Sequence, residues 1–191
     1  GLIQGEHLAE FENWEPFPYD PASVDVLIIT HAHIDHIGRI PKLVHEGFNG
    51  KIISTNATKD LAAVMVRDTA NILSSSESGR KFNLQEMYSD KVLSKISSMW
   101  QSHEYHEKFT LGGDLDINFK DAGHILGSAM VEIVYNGSKI VFTGDLGNSP
   151  SPLLADTEDI TDAKYLVMES VYGDRNHEER AEREENLKKV M

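Results

Sequence analysis

Strand and helix patterns alternate along this 191-residue chain, and that alternation predicts an α/β (α+β) layered fold. Three observations carry the expectation. A short β-branched run at residues 24–30 is followed by a helical pattern, a hairpin signal occupies residues 130–143, and apolar residues at helical spacing lie between them. Domains of ~100 to 200 residues bury most of their apolar surface, so one domain is the default.

Taken in order, residues 14–21 are rich in aromatics and Pro and read as loop. Residues 24–30 (VDVLIIT) predict a strand buried on both faces. Residues 37–46 predict a helix closed by Gly47, and residues 51–54 a second strand. Thr58 reads as the N-cap of a helix through Leu73, with Leu61, Val64, Met65 and Ala70 on its inner face. The polar residues 74–80 read as a loop. Val92, Leu93, Ile96, Met99 and Trp100 fall at helical spacing behind a Ser89 or Asp90 cap. From Met130 onward the pattern turns to strands, residues 130–135 and 139–143 around Asn136-Gly137, then residues 165–169. Residues 177–191 read as a charged helix, and no internal repeat is present.

Composition narrows the chemistry. The hydrophobic share of 40% and charged share of 26% are those of an ordinary globular protein, and no apolar run nears the ~18 residues of a membrane span. The expectation is no membrane association and a cytoplasmic location. With no cysteine, disulfides and thiolate ligation are excluded, so a metal would sit on His, Asp or Glu. The net charge of -13 argues against a simple nucleic-acid binder, although divalent cations would offset charge locally.

Chemistry-bearing residues gather where strands end. Residues 30–36 read THAHIDH. On an extended backbone His31 and His33 project to one side and can share a metal, while Asp35 and His36 enter the following helix and can face a second. A zincin helix would need its two histidines four apart, which this spacing excludes. His124 lies in DAGHILGSA between Gly123 and Gly127, and Asp145 follows a strand and a Gly in VFTGDLG. A carboxylate placed there can bridge two ions about 3.5 to 4 Å apart. Asp121, in DAGH, is a candidate acceptor for the far nitrogen of an imidazole. His7, His45, His103, His106 and His177 lack such context and are expected to be surface residues.

HAHIDH, GHILGS and TGDLG, in that order, resemble the metal-binding motifs of the metallo-β-lactamase superfamily. GHILGSA and the later MESVYGDR resemble its β-CASP ribonuclease branch, which includes the nuclease subunit of the cleavage and polyadenylation specificity factor and bacterial and archaeal relatives. The resemblance implies an αββα sandwich, here incomplete, without its first strands and without the β-CASP cap. Residues 1–176 would be a partial metallo-β-lactamase domain and residues 177–191 the start of the cap. It further implies two Zn2+ ions: His31, His33 and His124 on one, Asp35 and His36 on the other, Asp145 between. A hydroxide shared by the ions would attack an RNA phosphodiester, Asp35 would orient it, and Glu169 would partner a later histidine that protonates the leaving oxygen. Asp35 and Glu169 are thus the catalytic candidates, RNA the substrate, and a homodimer or an RNA-processing complex the expected assembly.

Val171 stands where that branch has Thr, and two later histidines are expected beyond this span, so the span alone is expected to hold one zinc well and to cleave RNA poorly. A thioester or lactone hydrolase of the same fold is the first alternative. Such enzymes have adjacent glycines after the histidine cluster, whereas here Gly38 precedes Arg39, Ile40 and Pro41. A non-catalytic RNA-processing scaffold is the second, and such proteins tend to lose ligands that this chain retains.

Overall fold

The structure, a computed structural model, describes residues 1–3, 11–175 and 180–191. After a 3-10 turn at Pro21–Ser23, strand β1 (Val26–Ile28) leads into short helices α1 (Ile34–Ile37) and α2 (Ile40–His45), then β2 (Lys51–Thr55). The long helix α3 (Asn56–Ser75) and helices α4 (Glu77–Lys81), α5 (Leu84–Met87) and α6 (Asp90–Met99) come before β3 (Trp100–His103). Strands β4 (Phe109–Leu111), β5 (Leu115–Asp121), β6 (Ala129–Tyr135), β7 (Ser138–Phe142) and β8 (Tyr165–Val167) follow, and helix α7 (Arg180–Val190) comes last.

Parallel pairing of β1, β2 and β3, with Leu27 opposite Ile52 and Thr55 opposite His103, builds one sheet. A second sheet runs β4-β5-β6-β7-β8, antiparallel except for the β7/β8 pair. Side chains alternate along β2, so neighbouring residues serve different layers. Ile52 faces the helices with Ile37, Ile40, Val44, Phe48, Ala62, Val66 and Trp100. Ile53 faces the second sheet and packs with Ile117, Phe119, Ala129 and Val131. The far side of the second sheet carries Ala122, Met130 and Val141 under Leu146, Ile160 and Ala163 of the loop before β8. The mixed α/β layering expected from the sequence is present.

Several boundaries moved, each for a local reason. β1 is three residues long because the chain then leaves its sheet: Thr30 accepts a hydrogen bond from the Ala129 amide of the second sheet (2.8 Å). The single helix expected at 37–46 is two, since Pro41 has no N–H for the Ile37 carbonyl. Gly47 does close it, at φ +118. Thr55, not Thr58, caps α3, its hydroxyl oxygen accepting from the Thr58 amide (3.3 Å). That start sets the inner face as Thr58, Ala62, Val66 and Ala70, four apart, and leaves Val64 and Met65 exposed. Leu61 packs at the core margin. Residues 74–80 are not a loop but the end of α3 and most of α4, and Ser89 occupies the N-cap position of α6 without a capping hydrogen bond from its side chain. The hairpin turn has φ of 47 at Asn136 and 73 at Gly137, as a two-residue turn between twisted strands requires. Of residues 165–169 only 165, 166 and 167 pair, with 140, 141 and 142 of β7. His7, His177 and the expected boundary at 176/177 lie outside the described residues.

Candidate metal centre

Three chain reversals meet at the ends of β1, β5 and β7, and backbone bonds lock them together. The Thr30 to Ala129 bond ties the histidine turn to β6. Between β5 and β6, the buried Ser128 hydroxyl oxygen accepts from the amides of His124 (3.0 Å) and Ile125 (3.2 Å), curling the loop so that its imidazole projects. Gly127, at φ +82, lets this loop lie against α3, where an added Cβ would come within 2.6 Å of the Thr58 amide nitrogen. Its carbonyl accepts from the hydroxyls of Thr55 (2.6 Å) and Thr58 (2.8 Å). The Asp145 loop is fastened to the His124 loop by the Gly147 amide, which donates to the Ala122 carbonyl (2.8 Å). The Thr157 hydroxyl donates to that same carbonyl (2.9 Å).

The result is two groups of donor atoms, His31, His33, His124 and Asp145 in one and Asp35, His36 and Asp145 in the other, each within 4.8 Å. In the first, His33 Nδ1 lies 3.1 Å from His31 Nε2 and 3.0 Å from His124 Nε2. Asp145 Oδ2 lies 3.6 Å from His31 Nε2 and 3.8 Å from His124 Nε2. Four donors placed tetrahedrally 2.0 to 2.2 Å from one ion stand about 3.3 to 3.6 Å apart. The four separations, 3.0 to 3.8 Å, bracket that spacing, so the cluster could hold one cation. In the second group Asp145 turns its other oxygen, Oδ1, to His36 Nε2 at 3.3 Å, and Asp35 Oδ2 sits 3.7 Å from the same nitrogen. One carboxylate thus presents an oxygen to each group. All donors are nitrogen or oxygen, a set that suits zinc, iron or manganese alike.

Electrostatics favour the neutral form of His31 and His124. His31 has 0% side-chain exposure, and burial first, then the imidazoles of His36, His33 and His124, push its pKa down to about 3. His124 is also lowered, by burial and by His33, against the opposing pull of Asp145 and Glu169. A neutral imidazole keeps a lone pair for a cation, which is the state a metal ligand needs. Asp35, His36 and Asp145 remain 31 to 42% exposed, so the second group faces solvent.

All six candidate ligands read from the sequence converge. Glu169 stands behind the Asp145 loop, its Oε1 accepting from the Leu146 amide (2.6 Å) while its own amide donates to the Thr143 hydroxyl (3.3 Å). Asp121 has a different partner from the expected imidazole. Its Oδ1 accepts from the Gly123 amide two residues on (2.7 Å), a local side-chain-to-backbone turn. His45 and His106 are exposed, but His103 is half-buried, stacked on Phe109 at 3.7 Å and paired with Glu107 at 3.0 Å. Sequence reasoning missed Thr30, Thr55, Thr58 and Ser128, the hydroxyls that hold the loops. Their signal was adjacency to the motifs, which does not reveal a hydrogen bond across 69 or 72 residues.

Several known proteins are similar to this chain in sequence. A ribonuclease of Thermus thermophilus is 34% identical over 177 residues, 93% of this chain and 38% of its own length. The RNase J-like protein of Methanocaldococcus jannaschii is 35% identical over 81% of this chain and 33% of its own. The endoribonuclease YSH1 of Saccharomyces cerevisiae is 28% identical over 91% of this chain and 23% of its own. The chain therefore spans well under half the length of these relatives. The model of the metallo-beta-lactamase superfamily matches residues 16–188, which include every donor of both groups. By that match, and by a histidine and aspartate cluster set where two stacked sheets end, the chain belongs to the metallo-β-lactamase superfamily.

Proposed function

We propose that this chain is the metal-binding part of a β-CASP ribonuclease that hydrolyses RNA phosphodiester bonds at a dinuclear zinc centre. The observation that carries the reading is Asp145, whose two carboxylate oxygens face two separate donor groups. Similarity to proteins named ribonuclease and endoribonuclease gives the substrate class. Divalent cations held by these donors would activate water near neutral pH and neutralise charge on a phosphodiester, the two needs of its hydrolysis. The chain's own residues do the rest. His31, His33 and His124 would be donors, burial favouring the neutral form of His31 and His124, and the exposed Asp35 would accept a proton from, and aim, the attacking water. Glu169 steadies the Asp145 loop through the Leu146 amide and lies close enough to His124 to favour its charged form. Residues 177–191 begin the cap in this reading, and the protein acts in the cytoplasm.

The test uses the full-length protein that contains this span. Single-stranded RNA should be cleaved, cleavage should stop with a chelator and return with zinc, and Asp35→Asn should slow it by about 100- to 10,000-fold. Turnover of a thioester or lactone with RNA left intact would instead favour a small-molecule hydrolase. Metal-independent cleavage would remove the reading altogether.

A further inference from the structure

We infer that Thr30 is a positioning residue of the metal centre, its hydroxyl holding the far nitrogen of His31 so that Nε2 presents a lone pair to the ion. The inference rests on the proposed centre. Thr30 Oγ1 lies 3.1 Å from His31 Nδ1, on the opposite edge of the ring from Nε2, which faces His33 and Asp145. A neutral imidazole carries its proton on one nitrogen only, so an ion at Nε2 requires the proton at Nδ1. There the N–H donates to the Thr30 oxygen. His31 is fully buried, so water cannot replace that acceptor, and without it an N–H would be stranded in the interior.

Two further contacts fix the hydroxyl in place. Thr30 is held through its carbonyl, which accepts from the Ala129 amide (2.8 Å). Gly144, at φ +56, packs on the Thr30 side chain, where an added Cβ would lie 2.7 Å from Thr30 Cβ and 2.9 Å from Oγ1. The glycine before Asp145 thus makes room for the residue that orients His31, and two donors of one group share a support.

Because the stranded N–H arises only when Nε2 faces an ion, the effect should fall on metal affinity more than on the fold. Thr30→Val keeps the branched shape and loses the hydroxyl, whereas Thr30→Ser keeps the hydroxyl and loses the methyl. Cobalt(II) is titrated into the parent chain and both variants, followed by its visible d–d absorption, with circular dichroism as the check of folding. The expected result is an affinity about 10- to 100-fold weaker for Thr30→Val, with an altered band, and parent-like binding for Thr30→Ser. Equal binding by parent and Thr30→Val, or a loss confined to Thr30→Ser, would overturn the proposal and leave the centre standing. Failure of the parent itself to bind cobalt would remove the centre and the proposal together.

Discussion

The carbonyl of Gly127 accepts two hydroxyls, and that sharing makes a measurable claim about how the His124 loop is held. Thr55 donates at 2.6 Å and Thr58 at 2.8 Å, and Gly127 and both threonines are buried. Thr55→Val loses one hydrogen bond, about 1 kcal/mol, and the N-cap of α3, about 1 kcal/mol more. Thr58→Val loses one hydrogen bond, about 1 kcal/mol, because the Thr58 amide still reaches Thr55. In either single variant the Gly127 carbonyl retains a partner. In the double variant it has none, and an orphaned buried acceptor costs roughly a further 1 to 3 kcal/mol. Urea unfolding of the four proteins closes a double-mutant cycle. The double variant should be destabilised by about 4 to 6 kcal/mol against about 3 for the sum of the singles, and Thr→Ser at either site should restore most of the loss. Additivity within about 0.5 kcal/mol would refute the shared-acceptor account.

Zinc at 100 times its Kd should stabilise the folded chain by about 2.7 kcal/mol, a gain that a chelator reverses and that Asp145→Asn diminishes, read as a shift in Tm. His31 gives a pH dependence. Its pKa falls from 6.5 in the unfolded chain to about 3 in the fold, so the unfolded chain binds a proton that the folded chain refuses as pH drops below 6.5. Stability from this group is full above pH 6.5 and is lost toward pH 3. By pH 4.5 the loss reaches at most about 2 to 3 kcal/mol, and urea midpoints of His31→Gln should fall less steeply over that range. Gly123→Ala should cost more than about 1 kcal/mol and weaken zinc binding. Its φ is +64, and the added Cβ would stand 2.8 Å from the Thr157 amide nitrogen, measurable by denaturation and zinc titration.

The donors were legible because their signal is local. His31, His33, Asp35 and His36 are crowded into six residues, and His124 and Asp145 stand beside glycines at strand ends. Strands of the second sheet were less legible. β5 has the required alternation, with Ile117 and Phe119 buried between Asp116, Asn118 and Lys120, but its charged positions dilute the apolar signal that its equally long partner β6 carries in a nearly continuous run. The register of α3 was misjudged by reading a hydroxyl at Thr58 as a cap when it serves Gly127. Periodicity alone then put Val64 and Met65 inside, and only the true start at Asn56 turns them to solvent. Helical residues 77–81 were concealed by composition, since Ser76 ends α3 through the Leu73 carbonyl and starts the next turn through the Gly79 amide.

The same contacts bear on how much of the fold depends on an ion. Each donor loop is held by bonds that leave the donor atoms free: Thr30 by the Ala129 amide, His124 by the Ser128 hydroxyl, the Asp145 loop by Ala122 and Glu169. A site held this way differs from small zinc domains, in which binding energy is folding energy. Two packed sheets already position the four imidazoles, and burial, reinforced by the neighbouring rings, favours the neutral state of His31 and His124 and keeps their lone pairs unprotonated. Cation binding can then be expressed as affinity and charge neutralisation, with little of it consumed in ordering the chain.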